Sequence, residues 1–151
     1  MDSVVKPHGR TNLKLRQLTR IVSRHFDPYI ESAGLRSAQY YLLTHVVLFG
    51  AMRPSDLARH MHMDASTITR NLQPLVAQGW VVIGPGKDAR SRLVEPTPAG
   101  RAKRTEGHLA WKRAQAALKA RLGAERVDAL YALLDECIEL ADGSLEDPAS
   151  E

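Results

Sequence analysis

Four polar residues between Asp64 and Gln78 have the types and spacing to read nucleic acid. At a helical rotation of ~100° per residue, Ser66, Thr67, Arg70 and Gln73 fall opposite the apolar Ile68, Leu72, Leu75 and Val76. Serine, threonine and glutamine carry short donors and acceptors, and an arginine fork makes paired bonds to guanine O6 and N7 or to a phosphate. An ordinary solvated helix face looks the same in isolation. Position tells against that reading, because this segment follows a short helix and precedes a basic, glycine-rich loop. In and after that loop Lys87, Arg90 and Arg92 supply cations, and Asp88 is placed to orient a neighbouring arginine through a charge-assisted bond. A slim cationic hairpin suits the minor groove, whose negative potential draws arginine.

A second group of polar side chains interrupts apolar stretches. His25 falls on the apolar stripe of the first helix, and Tyr40, Tyr41 and His45 lie in a mostly apolar segment. Buried tyrosine and histidine need hydrogen-bond partners, so a cleft edged by these groups suits an aromatic or acidic small molecule. Arg16, Arg20 and Trp111 are candidates to join its lining. The plainer alternative is that these are satisfied core or interface residues. Catalysis has little support. The one cysteine, Cys137, falls on an apolar helical seam where packing outweighs reactivity. His60 and His62, two apart, point to different sides of a helix, so no metal site is expected. Gly84-Pro85-Gly86 lacks the strand-to-helix setting of a nucleotide fingerprint, and no cofactor is expected.

These groups depend on the elements that carry them. From Thr11, residues Leu15, Leu18, Val22, His25 and Tyr29 recur at spacings of three and four, predicting a long amphipathic helix. Pro28 bends that helix or marks its last turns, and Gly34 punctuates the chain. A second helix is expected from a cap near Ser37 to Phe49, buried on most sides. Arg53-Pro54-Ser55-Asp56 opens a short helix, and Asp64 caps the next, which Gly79 ends. This is helix-turn-helix spacing, with His62 in the turn, where a left-handed backbone is tolerable. Trp80 to Ile83 and Leu93-Val94 read as strands flanking the loop from Gly84 to Ser91. Thr97-Pro98 caps a helix that runs to about Leu122 and stops at Gly123. The last helix places Val127, Leu130, Leu134, Cys137 and Ala141 on one seam, as for packing on another helix. After Gly143 an acidic, flexible tail is expected over residues 143–151.

Composition narrows the class. The 151 residues, 44% apolar with a net charge of +4, suit one domain or a compact pair of subdomains. Residues 1–104 hold 16 Lys and Arg against 7 Asp and Glu, whereas residues 105–151 hold 5 against 10. The basic part suits a polyanion. No stretch has the roughly 20 uninterrupted apolar residues of a bilayer span, and the first ten residues lack the pattern of a secretory signal. With a single cysteine, a cytoplasmic location without membrane contact is the expectation.

The chain resembles the MarR (multiple antibiotic resistance regulator) family of winged helix-turn-helix transcription factors. The matching residues are Leu57-Ala58, the run from Asp64 to Arg70, Leu72, Leu75 and Gly79, then Asp88-Ala89-Arg90-Ser91 and Thr97-Pro98-Ala99-Gly100. Pro96, where the family usually has leucine, and His62, where glycine is common, depart from the pattern. The resemblance implies a mainly α fold with a β-hairpin wing. Residues 11–35 and 98–142 would form a helical dimerisation region and residues 36–97 the winged helix-turn-helix. It further implies an obligate homodimer with a ligand cleft between the two regions. Ser66, Thr67, Thr69 and Arg70 then look like major-groove readers and Arg90 like the minor-groove contact. The expected function is a repressor that binds double-stranded DNA at a near-palindromic operator and is released by a small effector. A redox-sensing regulator acting through Cys137, and a protein or RNA interaction module without operator specificity, are the alternatives.

Overall fold

The computed structural model describes residues 10–85 and 92–145. Its order is α1 (Thr11–Ser32), α2 (Ser37–Phe49), α3 (Pro54–His60), α4 (Ala65–Ala77), β1 (Val81–Pro85), β2 (Arg92–Pro96), α5 (Pro98–Leu122) and α6 (Ala124–Leu145). Two units divide the chain, one to Lys112 and one from Arg113.

In the first unit, α1 continues past Pro28 for one further turn before Gly34 turns the chain at φ +79°. Ser37 does not cap α2. Arg36 holds the cap position, with its N–H donating to Gln39 Oε1 at 2.9 Å. The Ser37 hydroxyl instead donates to Asp27 Oδ1 at 2.6 Å, tying α2 to α1. Nor is α2 buried on most sides: Tyr40, Leu42, Leu43 and Val46 are buried, while Tyr41, Leu48 and Phe49 are exposed.

One apolar core joins Leu42, Leu43 and Val46 of α2 to Leu57 and Ala58 of α3, Ile68, Leu72 and Leu75 of α4, and Val81 and Val94 of the hairpin. The hairpin is antiparallel, with Val81 opposite Pro96 and Pro85 opposite Arg92. Met52 bridges to Val94 on the strand's other edge, its carbonyl accepting Val94 N–H at 2.8 Å. A smaller core joins Ile30, Leu35 and Tyr40, and Trp80 packs against both cores. Trp80 precedes β1 rather than opening it, because its N–H closes the last turn of α4 on Leu75 O at 3.0 Å.

The first turns of α5 lie very close to this body. A Cβ on Gly100 would sit 1.9 Å from Trp80 O, and one on Gly107 would sit 2.7 Å from Tyr40 Cδ2. These two glycines, seven apart, let the α5 backbone approach where any side chain would hold it off.

In the second unit, Gly123 (φ +89°) separates α5 from α6, and Lys119 pairs with Asp128 at 3.2 Å. The expected seam on α6 is not covered by the described residues. Val127 is buried, but Leu134, Cys137 and Ala141 are exposed, as is every residue from 131 to 142. Tyr131 and Leu140 are 66% and 68% exposed. A seam needs a second helix to close it, and none among the described residues covers these. Gly143 does not end α6, which continues to Leu145, since glycine inside a helix costs only about 1 kcal/mol. The rest of the expected tail, residues 146–151, lies outside the described residues.

Candidate nucleic-acid interface and polar cluster

The helix pair α3–α4 is built from local signals. Pro54 occupies the first position of α3, where its missing N–H costs nothing, and Asp56 is held by both Arg53 and Arg59. Hydrogen bonds from the two guanidinium groups keep the Asp56 carboxyl below its ordinary pKa. The α3 end is a Schellman turn: His62 takes the left-handed conformation (φ +53°), its N–H bonds Arg59 O, and Met63 N–H reaches Ala58 O at 2.9 Å. Asp64 then stands at the cap position of α4. At the far end of α4 the motif recurs, with Gly79 at φ +75° bonding Val76 O and Trp80 bonding Leu75 O.

Between these turns α4 has two faces. Ile68, Leu72 and Leu75 are fully buried, whereas Ser66, Thr69, Arg70 and Gln73 are exposed and Thr67 is half-buried. The structure therefore brings the five α4 candidates onto the side of the helix away from the core, Thr67 at its edge. Thr69 Oγ1 donates to Ala65 O of the preceding turn at 3.0 Å. Arg92 is exposed at the start of β2. Lys87, Asp88 and Arg90 lie outside the described residues.

The polar groups proposed for a small molecule are only partly assembled. Tyr40 is buried, and its hydroxyl meets His108 Nδ1 at 3.2 Å. The His108 ring stacks on Trp111 with centroids 5.8 Å apart, and Trp111 lies 6.4 Å from Phe26, which in turn meets His25 edge-on at 5.3 Å. Tyr41 extends this run of rings from Tyr40. His45 belongs elsewhere: it bonds Tyr41 O and sits beside Phe49, which stacks on His60. Arg16 and Arg20 are exposed on the early turns of α1.

His108 and Arg104 escaped the reading of the sequence, although they stand one turn apart on α5 and lead to Trp111 at the 4,3 spacing of a single face. Arg104 Nε is buried without a hydrogen-bond partner among the described residues. Burial raises the Tyr40 pKa, partly opposed by the Thr44 hydroxyl and the Arg104 charge. Burial lowers that of His108, helped by Arg104 and Lys112, and so favours a neutral imidazole against the phenol. Tyr41 is raised by burial and by the nearby Asp27 charge. Among the described residues no group of three His, Cys, Asp or Glu is arranged to hold a metal ion. No helix among them is long and apolar enough to cross a membrane.

The MarR-family profile matches residues 33–91, the segment that contains both helices of the turn and β1. Over a wider span, the crystal structure of a probable transcriptional regulator from Pseudomonas aeruginosa superimposes with a TM-score of 0.77 at 27% identity, covering 85% of this chain and 96% of that one. Residues 33–91 thus match the MarR family, and the wider chain is similar in fold to transcriptional regulators. The crystal structure of the Mycobacterium tuberculosis transcriptional regulator MosR in complex with DNA matches with a TM-score of 0.72 at 28% identity, covering 87% of this chain and 97% of that one. The HTH-type transcriptional regulator YwoH of Bacillus subtilis is 28% identical over 81 residues. That match takes in 54% of this chain and 59% of the relative. The MarR fold, six helices with a two-stranded wing, is the architecture expected from the sequence.

Proposed function

We propose that this protein is a homodimeric, sequence-specific DNA-binding transcriptional repressor whose operator binding is relieved by a small aromatic or carboxylate-bearing molecule. The observation that carries this reading is the two-faced α4. Its apolar side is fully buried in the winged-helix core, and Ser66, Thr69, Arg70 and Gln73 are left exposed with no structural task in that core. A helix held so rigidly, ending in donors, acceptors and one arginine fork, suits the major groove. Arg92, with Lys87 and Arg90 of the wing loop, would add cationic contacts, and Asp88 would orient the loop arginine. The MosR structure in complex with DNA supports the same use of the fold.

Self-association is supported by uncovered apolar residues on the terminal helices, Leu15 and Ile21 on α1 and Tyr131, Leu133, Ile138 and Leu140 on α6. Residues 11–35 and 98–142 would serve as the dimerisation region and 36–97 as the DNA-binding region. The polar cluster of Tyr40, His108, Arg104 and Trp111, with His25 and Tyr41 at its ends, supports an effector that offers a ring and an anionic or phenolic group. His45, Arg16 and Arg20 are less well placed for that role.

Two symmetric recognition helices meet one face of DNA about 34 to 36 Å apart, so the operator is expected to be a near-palindrome. Selection of bound genomic fragments by the purified protein, followed by footprinting, tests this. A protected pair of inverted half-sites is the expected result; protection of one asymmetric half-site by a monomer, or no preference over random duplex, refutes it.

A further inference from the structure

We infer that Thr97 is a positioning residue that sets the pitch at which α4 is presented to DNA, and this rests on the DNA-binding reading above. One hydroxyl serves two helices. Thr97 Oγ1 accepts Gly100 N–H at 3.0 Å, capping the start of α5, and donates to Gly79 O at 2.6 Å, just past the end of α4. The Thr97 N–H bonds Trp80 O at 3.0 Å, and Trp80 itself closes the last turn of α4 through Leu75 O. The exit of the candidate recognition helix and the entrance of α5 therefore share one network.

Contacts around this elbow resist movement in both directions. The α5 backbone at Gly100 is already against the Trp80 carbonyl, so the helix cannot approach further. The Thr97 bonds oppose separation, and Lys103 Nζ lies 5.6 Å from the centre of the Trp80 ring, holding the indole from the α5 side. A second attachment lies two turns along α5, where Gly107 lies close against Tyr40 and Leu35 and His108 meets the Tyr40 hydroxyl. With 13 residues at ~1.5 Å each, α4 is roughly 20 Å long, so a tilt of about 5° at the elbow carries Ser66 through roughly 1.7 Å. Hydrogen bonds to base edges tolerate only about 0.5 Å of that movement. The elbow is thus placed to decide how closely two half-sites must match the protein in spacing.

The test uses the full-length protein and the operator it selects. Thr97→Val keeps the shape and the backbone bond but removes the hydroxyl, and Thr97→Ser restores it. Expected is an affinity about tenfold weaker for Thr97→Val, the worth of one good hydrogen bond, and a smaller penalty for inserting one base pair between half-sites. Thr97→Ser should recover both, with dimer mass unchanged throughout. Hydrogen exchange on the wild type adds a readout that needs no variant to fold: the Thr97 and Gly100 amides should open together with that of Trp80. Wild-type affinity in Thr97→Val, an affinity loss with the spacing penalty intact, or independent opening of these amides overturns the proposal. If the wild type selects no duplex at all, the DNA-binding reading falls and takes this proposal with it. That outcome is distinct from a wild type that binds with a spacing preference Thr97→Val leaves untouched.

Discussion

Replacing Gly100 by alanine adds one methyl group where, among the described glycines, the backbone of a neighbour lies closest. That carbon would sit 1.9 Å from Trp80 O and 2.8 Å from the Trp80 carbonyl carbon. Carbon and oxygen normally stay about 3.3 Å apart, so the first turn of α5 must retreat by roughly 1.4 Å. Such a shift breaks the bonds from Thr97 N–H to Trp80 O and from its hydroxyl to Gly79 O. Two hydrogen bonds are worth about 2 kcal/mol net, forced displacement in a packed region about 1 to 3 kcal/mol, and alanine returns about 1 kcal/mol of helix propensity. Gly100→Ala is therefore expected to lose about 2 to 4 kcal/mol of stability. Gly107→Ala is the internal comparison. Its methyl meets side-chain carbons rather than backbone, Tyr40 Cδ2 at 2.7 Å and Leu35 Cδ1 at 2.9 Å, so its loss should be smaller than that of Gly100→Ala. Urea unfolding of both variants, compared at equal m-values, measures the difference. A Gly100→Ala protein as stable as the wild type, or one more stable than Gly107→Ala, refutes this account of the α5 contact.

Arg70→Ala should weaken operator binding by about 1 to 3 kcal/mol and relax sequence preference, whereas Arg92→Ala should lower affinity evenly across sequences and reduce the salt slope by about 1; binding titrations over salt separate the two. Stability should fall as the pH drops below about 7, because the folded His108 pKa lies under its ordinary 6.5 and the unfolded chain takes up the proton first. His108→Gln should flatten that slope in unfolding measured from pH 7 to 5. If the proposed dimer closes on α6, Ile138→Asp should yield a folded monomer by mass measurement, since Ile138 is half exposed within the chain. Cys137, on the same helix, should react quickly with a thiol reagent in that monomer and slowly in the proposed dimer.

What was legible in the sequence was largely what is decided within a few residues. His62 in a left-handed turn, Pro54 and Pro98 at first helical positions and Gly79 and Gly123 beyond helix ends all follow from local backbone sterics. Ser37 misled because its hydroxyl found Asp27, ten residues back, and left the cap to Arg36. Trp80 looked like a strand residue by its aromatic propensity, yet its amide was claimed by the turn that ends α4. His108 was invisible for a related reason: its partner Tyr40 lies 68 positions away, and the polar look of α5 disguises a face that packs on α2. The seam on α6 was readable as a pattern, but a pattern does not say whether its partner is in the same chain.

Thr69 carries a consequence for which letters the protein could favour. Because its hydroxyl gives its hydrogen to Ala65 O, the side chain turns outward with lone pairs and a methyl group and no proton to donate. Within the proposed DNA contact, such a surface suits the amino groups of adenine and cytosine and the thymine methyl, and offers nothing to guanine's O6 and N7. Arg70 beside it has the opposite character, being all donor. Neighbouring positions of one helix would thus divide the alphabet between them, Arg70 asking for guanine and Thr69 disfavouring it. Thr69→Val, which keeps the shape and methyl groups but loses the acceptor, would preserve a thymine preference and erase one for adenine or cytosine.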